Sequence, residues 1–320
     1  MNNNNIKIGL IAGLNQGNFA VAVGGSAGQS NQQTQATAVG FLAGNDGQGA
    51  RSVAVGIVAG RQGQGADSVA VGHDAGSGGQ QTFCVAVGAL AGRANQQTGA
   101  IAVGAYAGQL TQGSNSVAIG NLAGNNLQRT DSVAIGNSAG ITEQKENAVA
   151  VGYYSGRTNQ APYAVSVGSG AGQTDQATNS VAIGRGAGGY LQKSEAVAVG
   201  YNAGNTSQGL RSVSIGNKAG FTEQKNDCVA IDWEAAREGQ GNNSTALGAA
   251  AGTVNQGSYC VAVGWGAGYS SQKNNSICIN ASYLALQTPN SDAFYVKPIR
   301  PNAGTHALRY NPSTGEITYN

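Results

Sequence analysis

Two carboxylates, Asp232 and Glu234, flank Trp233 and stand just ahead of Arg237 in the stretch Asp227-Cys228-Val229-Ala230-Ile231-Asp232-Trp233-Glu234-Ala235-Ala236-Arg237-Glu238. Paired carboxylates of this kind could act as the acid and base of glycan cleavage. Arg237 supplies a nearby salt-bridge partner and nothing in the sequence implies a groove, so the four residues are expected to form a local binding feature or a decorated surface, not a catalytic centre. The only histidines are His73 and His306, too few for a metal cluster. No cofactor is expected.

The side chain with the strongest pattern is an amide. Glutamine occupies every sixteenth position without exception: Gln16, Gln32, Gln48, Gln64, Gln80, Gln96, Gln112, Gln128, Gln144, Gln160, Gln176, Gln192, Gln208, Gln224, Gln240, Gln256 and Gln272. The residues just before it vary freely (Thr111, Leu127, Glu143, Asn159, Asp175), so duplication alone does not account for the fixed amide. A glutamine side chain offers two donors and one acceptor. It can bond its own turn and the equivalent amide one repeat away, which predicts a structural ladder.

The elements that position this ladder follow from the same period. A short repeat of this length is the signature of stacked coils. Each repeat carries a phrase such as Ser52-Val53-Ala54-Val55-Gly56, in which β-branched residues alternate with small ones as in a strand. The glycines at Gly56 and Gly60 suit a turn. Sixteen residues at about 3.3 Å each give a perimeter of roughly 50 Å, enough for two short strands and two tight turns. The expected fold is therefore all-β, a parallel β-solenoid in the form of a two-sided β-roll with 16-residue coils, about 4.8 Å apart and about 80 Å long in total. Residues 6–286 would form the solenoid, and 287–320 a linker plus C-terminal hairpin or cap.

Numbering positions by the remainder after division by sixteen, the fourth, sixth and eleventh residues are nearly always Ala, Ser or Cys, so the interior must be thin. Two arrangements satisfy the alternation. With alanines inside, Val53, Val55 and their equivalents form an outward Val/Ile stripe along the whole rod; with valines inside, the alanines face out. The outward stripe is preferred. The polar thirteenth to fifteenth positions are expected to face water.

Composition excludes several functions. Net charge is +2 with 10% charged residues, too neutral and too scattered for a nucleic-acid groove. No apolar run is long enough for a membrane helix, and Met1 to Lys7 lack the features of a secretory signal. Cys84, Cys228 and Cys260 share one coil position but lie at least two coils, about 9.6 Å, apart, too far for a disulfide. Cys278 is likewise offset, and all four are read as packing residues. The 15 acidic residues recur at no fixed coil position, against a calcium-binding roll, and Thr37 and Thr245 are the only threonines at the fifth position, against an ice-binding ladder.

Beyond Leu286, Gln287-Thr288-Pro289-Asn290 reads as a linker to Phe294-Tyr295-Val296-Lys297-Pro298-Ile299-Arg300. His306-Ala307-Leu308-Arg309-Tyr310 and Glu316-Ile317-Thr318-Tyr319 alternate as two strands around Asn311-Pro312-Ser313-Thr314-Gly315.

The phrase Ser-Val-Ala-Ile-Gly at Ser116 to Gly120, Ser132 to Gly136 and Ser180 to Gly184 resembles the head repeats of YadA-like trimeric autotransporter adhesins over roughly residues 6–286. The resemblance implies a left-handed β-roll, a homotrimer and binding to host surfaces. The strict period, the glutamine ladder and the lack of signal peptide, coiled-coil stalk and membrane anchor depart from that family. The segments Ala293 to Arg300 and Leu308 to Ile317 are similar to C-terminal tails of giant-virus and phage fibre proteins. Together these resemblances imply a non-enzymatic fibre of a virion surface or tail appendage, made in the cytoplasm and displayed outside the cell. Its expected partners are copies of itself, as a trimer or end-to-end filament, and a host surface glycan or protein. An adhesin-type binding module is the alternative.

Overall fold

The computed structural model describes residues 4–299 and 308–319. His306, Arg300 and the leading Met1 to Asn3 lie outside the described residues. Within them every regular element is a strand, and the architecture is a parallel β-solenoid whose principal face is a single 19-stranded sheet.

That face runs from Ile6–Ile8 through Val21–Val23, Val53–Val55 and Val117–Ile119 to Phe294–Lys297. Each strand pairs in parallel with the one a coil further on, with like residues opposite: Val53↔Val69, Ala54↔Ala70, Val55↔Val71. Identical neighbours follow from the sixteen-residue spacing of the phrase, and side chains alternate across the sheet. The central alanine points in and is fully buried, as at Ala54 and Ala118, while the flanking valines are half-buried. Three isoleucines in the stripe, Ile119, Ile215 and Ile279, are each 39% exposed. The alanines therefore fill the interior and the Val/Ile stripe faces outward.

The opposite face is held by fewer pairings. Segments such as Leu110–Gln112 and Asn126–Gln128 pair only at their outer residues, Leu110↔Asn126 and Gln112↔Gln128. The middle residue lies in the left-handed region, with φ of 56° at Thr111 and 59° at Leu127. Between Thr158 and Thr222 this face reduces to single bridges, such as Thr158↔Thr174 and Tyr190↔Thr206. A left-handed residue turns its side chain to solvent and places the next one, the glutamine, inside. The freely varying position before each glutamine is thus a conformational joint.

The coil closes through five left-handed residues, seen in one repeat as Arg51, Gly56, Val58, Gly60 and Gly63. For a non-glycine residue this conformation costs about 1 kcal/mol or more. Two of the five require glycine for an additional reason. A Cβ on Gly56 would meet the carbonyl oxygen of Gly72, one coil on, at 2.5 Å, and a Cβ on Gly60 would meet Gln64 Oε1 at 2.8 Å.

The buried column of amides ties the coils together. Gln96 Nε2 donates to Val85 O at 2.9 Å, to Ala100 O at 3.0 Å and to Gln112 Oε1 at 3.0 Å. With two hydrogens for three acceptors, one N–H is shared. Gln144 repeats the pattern toward Val133 O, Ala148 O and Gln160 Oε1. The amides that make the full set, such as these, cross the thin interior to bond the valine face of their own coil, the start of the next turn and the amide of the next coil. No direct link joins Gln48 to Gln64, leaving Gln64 Oε1 without a partner. Between Gln208 and Gln224 the hydroxyl of Ser214 bridges, accepting at 3.2 Å and donating at 2.9 Å.

The period ends near Leu286, as the sequence indicates, but the coil does not. Ile277–Asn280 pairs in parallel with Phe294–Lys297 at a spacing of seventeen, Ile277↔Phe294. Leu286 N donates to Gly266 O, and Leu286 packs into the core at 9% exposure. Residues 287–290 therefore belong to a further coil, whose lost glycine and glutamine markers disguise it. Beyond it, Leu308–Tyr310 and Ile317–Tyr319 pair antiparallel, joined through a turn in which Gly315 N donates to Asn311 O.

Replacing Gln144 by Leu leaves Gln160 Oε1 without its donor and removes the side-chain bonds to Val133 O, Ala148 O and Gln128, and should lower unfolding stability by about 2–4 kcal/mol. The exposed Gln33→Leu change should stay within about 0.5 kcal/mol. Denaturant unfolding of the two variants beside the parent checks this, and equal effects would contradict a structural role for the buried amide.

Candidate functional site

The coil containing Asp232 replaces both turn glycines while keeping the backbone path. Asp232 takes the place of the first glycine at φ 101°, against 127° and 116° at Gly216 and Gly248 on either side, and Ala236 takes the second at φ 46°. Ala236 is fully buried. Its methyl group occupies the space in which Gly60 admits the glutamine amide, yet Gln240 still bonds Val229 O and Ser244 O, both at 3.0 Å. This coil therefore carries backbone strain that its neighbours avoid.

The two carboxylates have separate partners. Asp232 Oδ1 accepts from the backbone N–H of Trp233 at 2.7 Å, a local turn contact. Glu234 instead pairs with Arg237 Nη1 at 3.3 Å, and Arg237 Nη2 donates to Glu238 at 2.6 Å. Burial opposes the charge on Arg237, but the two glutamates outweigh it and raise the guanidinium pKa. Each carboxylate is thus engaged by a different partner, and the arrangement offers a polar surface with a half-exposed indole, Trp233 at 47%.

One residue missed in the sequence belongs with it. Trp265 occupies the same coil position two repeats on and is 46% exposed. Backbone bonds from Ala250 N to Trp233 O and from Gly266 N to Ala249 O put Trp233, Ala249 and Trp265 in one column. These are the chain's only two tryptophans. Their shared remainder after division by sixteen was the available signal.

The glutamines all lie in the interior column except the terminal Gln16, which is half-buried and whose Oε1 has no partner. His73 is exposed, and among the described residues no group of three or more His, Cys, Asp or Glu could hold a metal ion. No helix of the described residues is long and apolar enough to cross a membrane. The four cysteines are free and buried. Cys84 Sγ donates to Gln97 O at 2.9 Å, and Cys228 Sγ to Gly241 O at 2.8 Å. Burial pushes the thiols of Cys84, Cys228 and Cys278 above their ordinary pKa.

Ion pairs also link coils on the outside. Arg51 bonds Asp67 through Nε at 2.6 Å and Nη2 at 2.7 Å, and Arg211 pairs with Asp227 in the same way. The guanidinium of Arg51 holds the Asp67 carboxyl below its usual range. No protein-family model matches the chain, and no curated protein matches it.

Inert thiols follow from this burial. A disulfide reagent at pH 8 should label the native protein negligibly and all four cysteines after unfolding. Rapid labelling of the native protein would contradict the packing described for them.

Proposed function

We propose that the protein is a non-enzymatic structural fibre, a rigid trimer of parallel β-rolls serving as part of a virion surface or tail appendage. The observation that carries this reading is the Val/Ile stripe on the 19-stranded face. Its two outward columns extend roughly 85 Å and lie roughly 7 Å apart, giving roughly 600 Å² of mainly apolar surface, interrupted by Thr37 and Thr245. A monomer rarely leaves so large a patch uncovered. Burying it against the same stripe of other copies satisfies all chains at once, because a straight column with like residues in every coil is self-complementary along its length.

Such an assembly gains from what the single chain already has. Parallel ladders and interior amides hold each coil to its neighbours, and the covered stripe would shield the remaining apolar face from water and protease. The placement on a virion rests on the resemblance of the C-terminal segments to viral and phage fibre tails. The polar opposite face would remain outside, available for contact with a host surface.

A second reading, an adhesin-type binding module, draws on the exposed Trp233 and Trp265 in one column beside the strained Asp232. Exposed aromatic residues of this kind favour recognition surfaces.

Sedimentation or light scattering of the purified protein should give three times the 31.9 kDa chain mass. Val133→Lys together with Val149→Lys, which places charges in the stripe, should return it to one chain mass with the fold intact by circular dichroism. One chain mass for the parent protein would overturn the trimeric reading.

A further inference from the structure

We propose that the turn column Arg61, Ser77 and Arg93 forms a binding slot for an acidic saccharide, one bearing a carboxylate or sulfate group. The three residues share one coil position in consecutive repeats. Gln62 N donates to Ser77 O at 3.1 Å and Gly78 N to Arg93 O at 2.8 Å, which fixes their register. The two arginines therefore flank the short serine at a backbone separation of about 9.6 Å. A cleft of about 590 Å³ opens between them, with Val58 and Ala94 as apolar walls and Asp74 at its side.

The charges in this slot are uncommitted. Ion pairs among the described residues engage Arg51, Arg211 and Arg237, and Arg157 and Arg185 lie over the rings of Tyr154 and Tyr201. Arg61 and Arg93 have neither kind of partner there, although both line the same cleft. Two guanidinium forks on either side of a small hydroxyl residue match an oxyanion, which accepts charge-assisted hydrogen bonds from each side. Asp74 selects further. Its carboxylate would repel a bare anion but can accept hydrogen bonds from hydroxyl groups, and the apolar walls suit the carbon face of a ring. An anionic group carried on a sugar meets all three conditions.

The slot lies on the turn leading to the glutamine face, away from the Val/Ile stripe. It is accessible in a single chain and in a trimer joined through that stripe, so it stands independently of the oligomeric reading.

Calorimetric titration with a chondroitin sulfate tetrasaccharide at low salt tests the inference. The parent protein should bind it, whereas the Arg61→Ser/Arg93→Ser variant should bind at least about tenfold more weakly. An Arg51→Ser/Arg211→Ser variant, which removes equal charge from arginines already paired, should bind within about twofold of the parent. Inorganic sulfate at the same concentration should bind more weakly than the tetrasaccharide. No binding by the parent, or equal losses in the two double variants, would overturn the slot; equal binding of sulfate and tetrasaccharide would overturn the saccharide assignment. Unchanged thermal unfolding of each variant establishes that the fold is intact.

Discussion

A primary amide enclosed among methyl groups must find partners for its hydrogens and its oxygen, or the interior that contains it becomes unfavourable. The rest of this rod is arranged around that requirement. The glutamine side chain is the largest group in the core, filling what alanines leave open, and it reaches the backbone of the opposite face, the following turn and the next amide. In doing so it sets the separation of the two faces and aligns each coil with the next. A core of alanine alone would supply little apolar area per residue, so much of the cohesion must come from hydrogen bonds in a setting where water cannot compete.

The glycines answer the same constraint from the backbone side. Gly60 lacks the Cβ that would collide with the amide of Gln64, and Gly56 lacks the one that would collide with the next coil. Left-handed residues that are not glycine, such as Val58 and Leu127, persist because ladders on both faces determine their conformation. The coil around Asp232 marks how far this can be relaxed: the backbone follows the same course with a distorted φ, and the glutamine still makes its bonds. Regularity is therefore a property of the backbone ladder, and the side-chain pattern can lapse for one coil without breaking it.

Much of this architecture was legible in the sequence. The remainder modulo sixteen identified the coil, the alternation of valine with alanine identified the strand, and the invariance of one amide identified the ladder. The sparsely paired second face was less visible, because a left-handed residue inside a short pairing segment leaves no type preference that Thr111, Leu127 and Glu143 all share. The last coil was hidden for a different reason: Leu286 and Thr288 fill the interior there in place of the usual alanine and glutamine, and the spacing lengthens to seventeen. Among candidate site residues, Asp232, Trp233, Glu234 and Arg237 stood out because they broke the pattern. Trp265, Arg61 and Arg93 did not, since each lies in an otherwise regular coil and gains meaning only from the residues stacked above and below.

Stacking is what turns single exposed residues into extended features on this molecule: a stripe from two valines per coil, a column from two tryptophans, a slot from two arginines around a serine. All depend on the coils being locked in register by the interior amides. Hydrogen exchange of the glutamine side-chain amides, followed by NMR on glutamine-labelled protein, tests that dependence most directly. The account predicts that the Nε2 protons of the buried glutamines, from Gln32 onward, exchange at least about a thousandfold more slowly than those of exposed Gln33. Exchange at the same rate for both would contradict a hydrogen-bonded ladder as the spine of the fold.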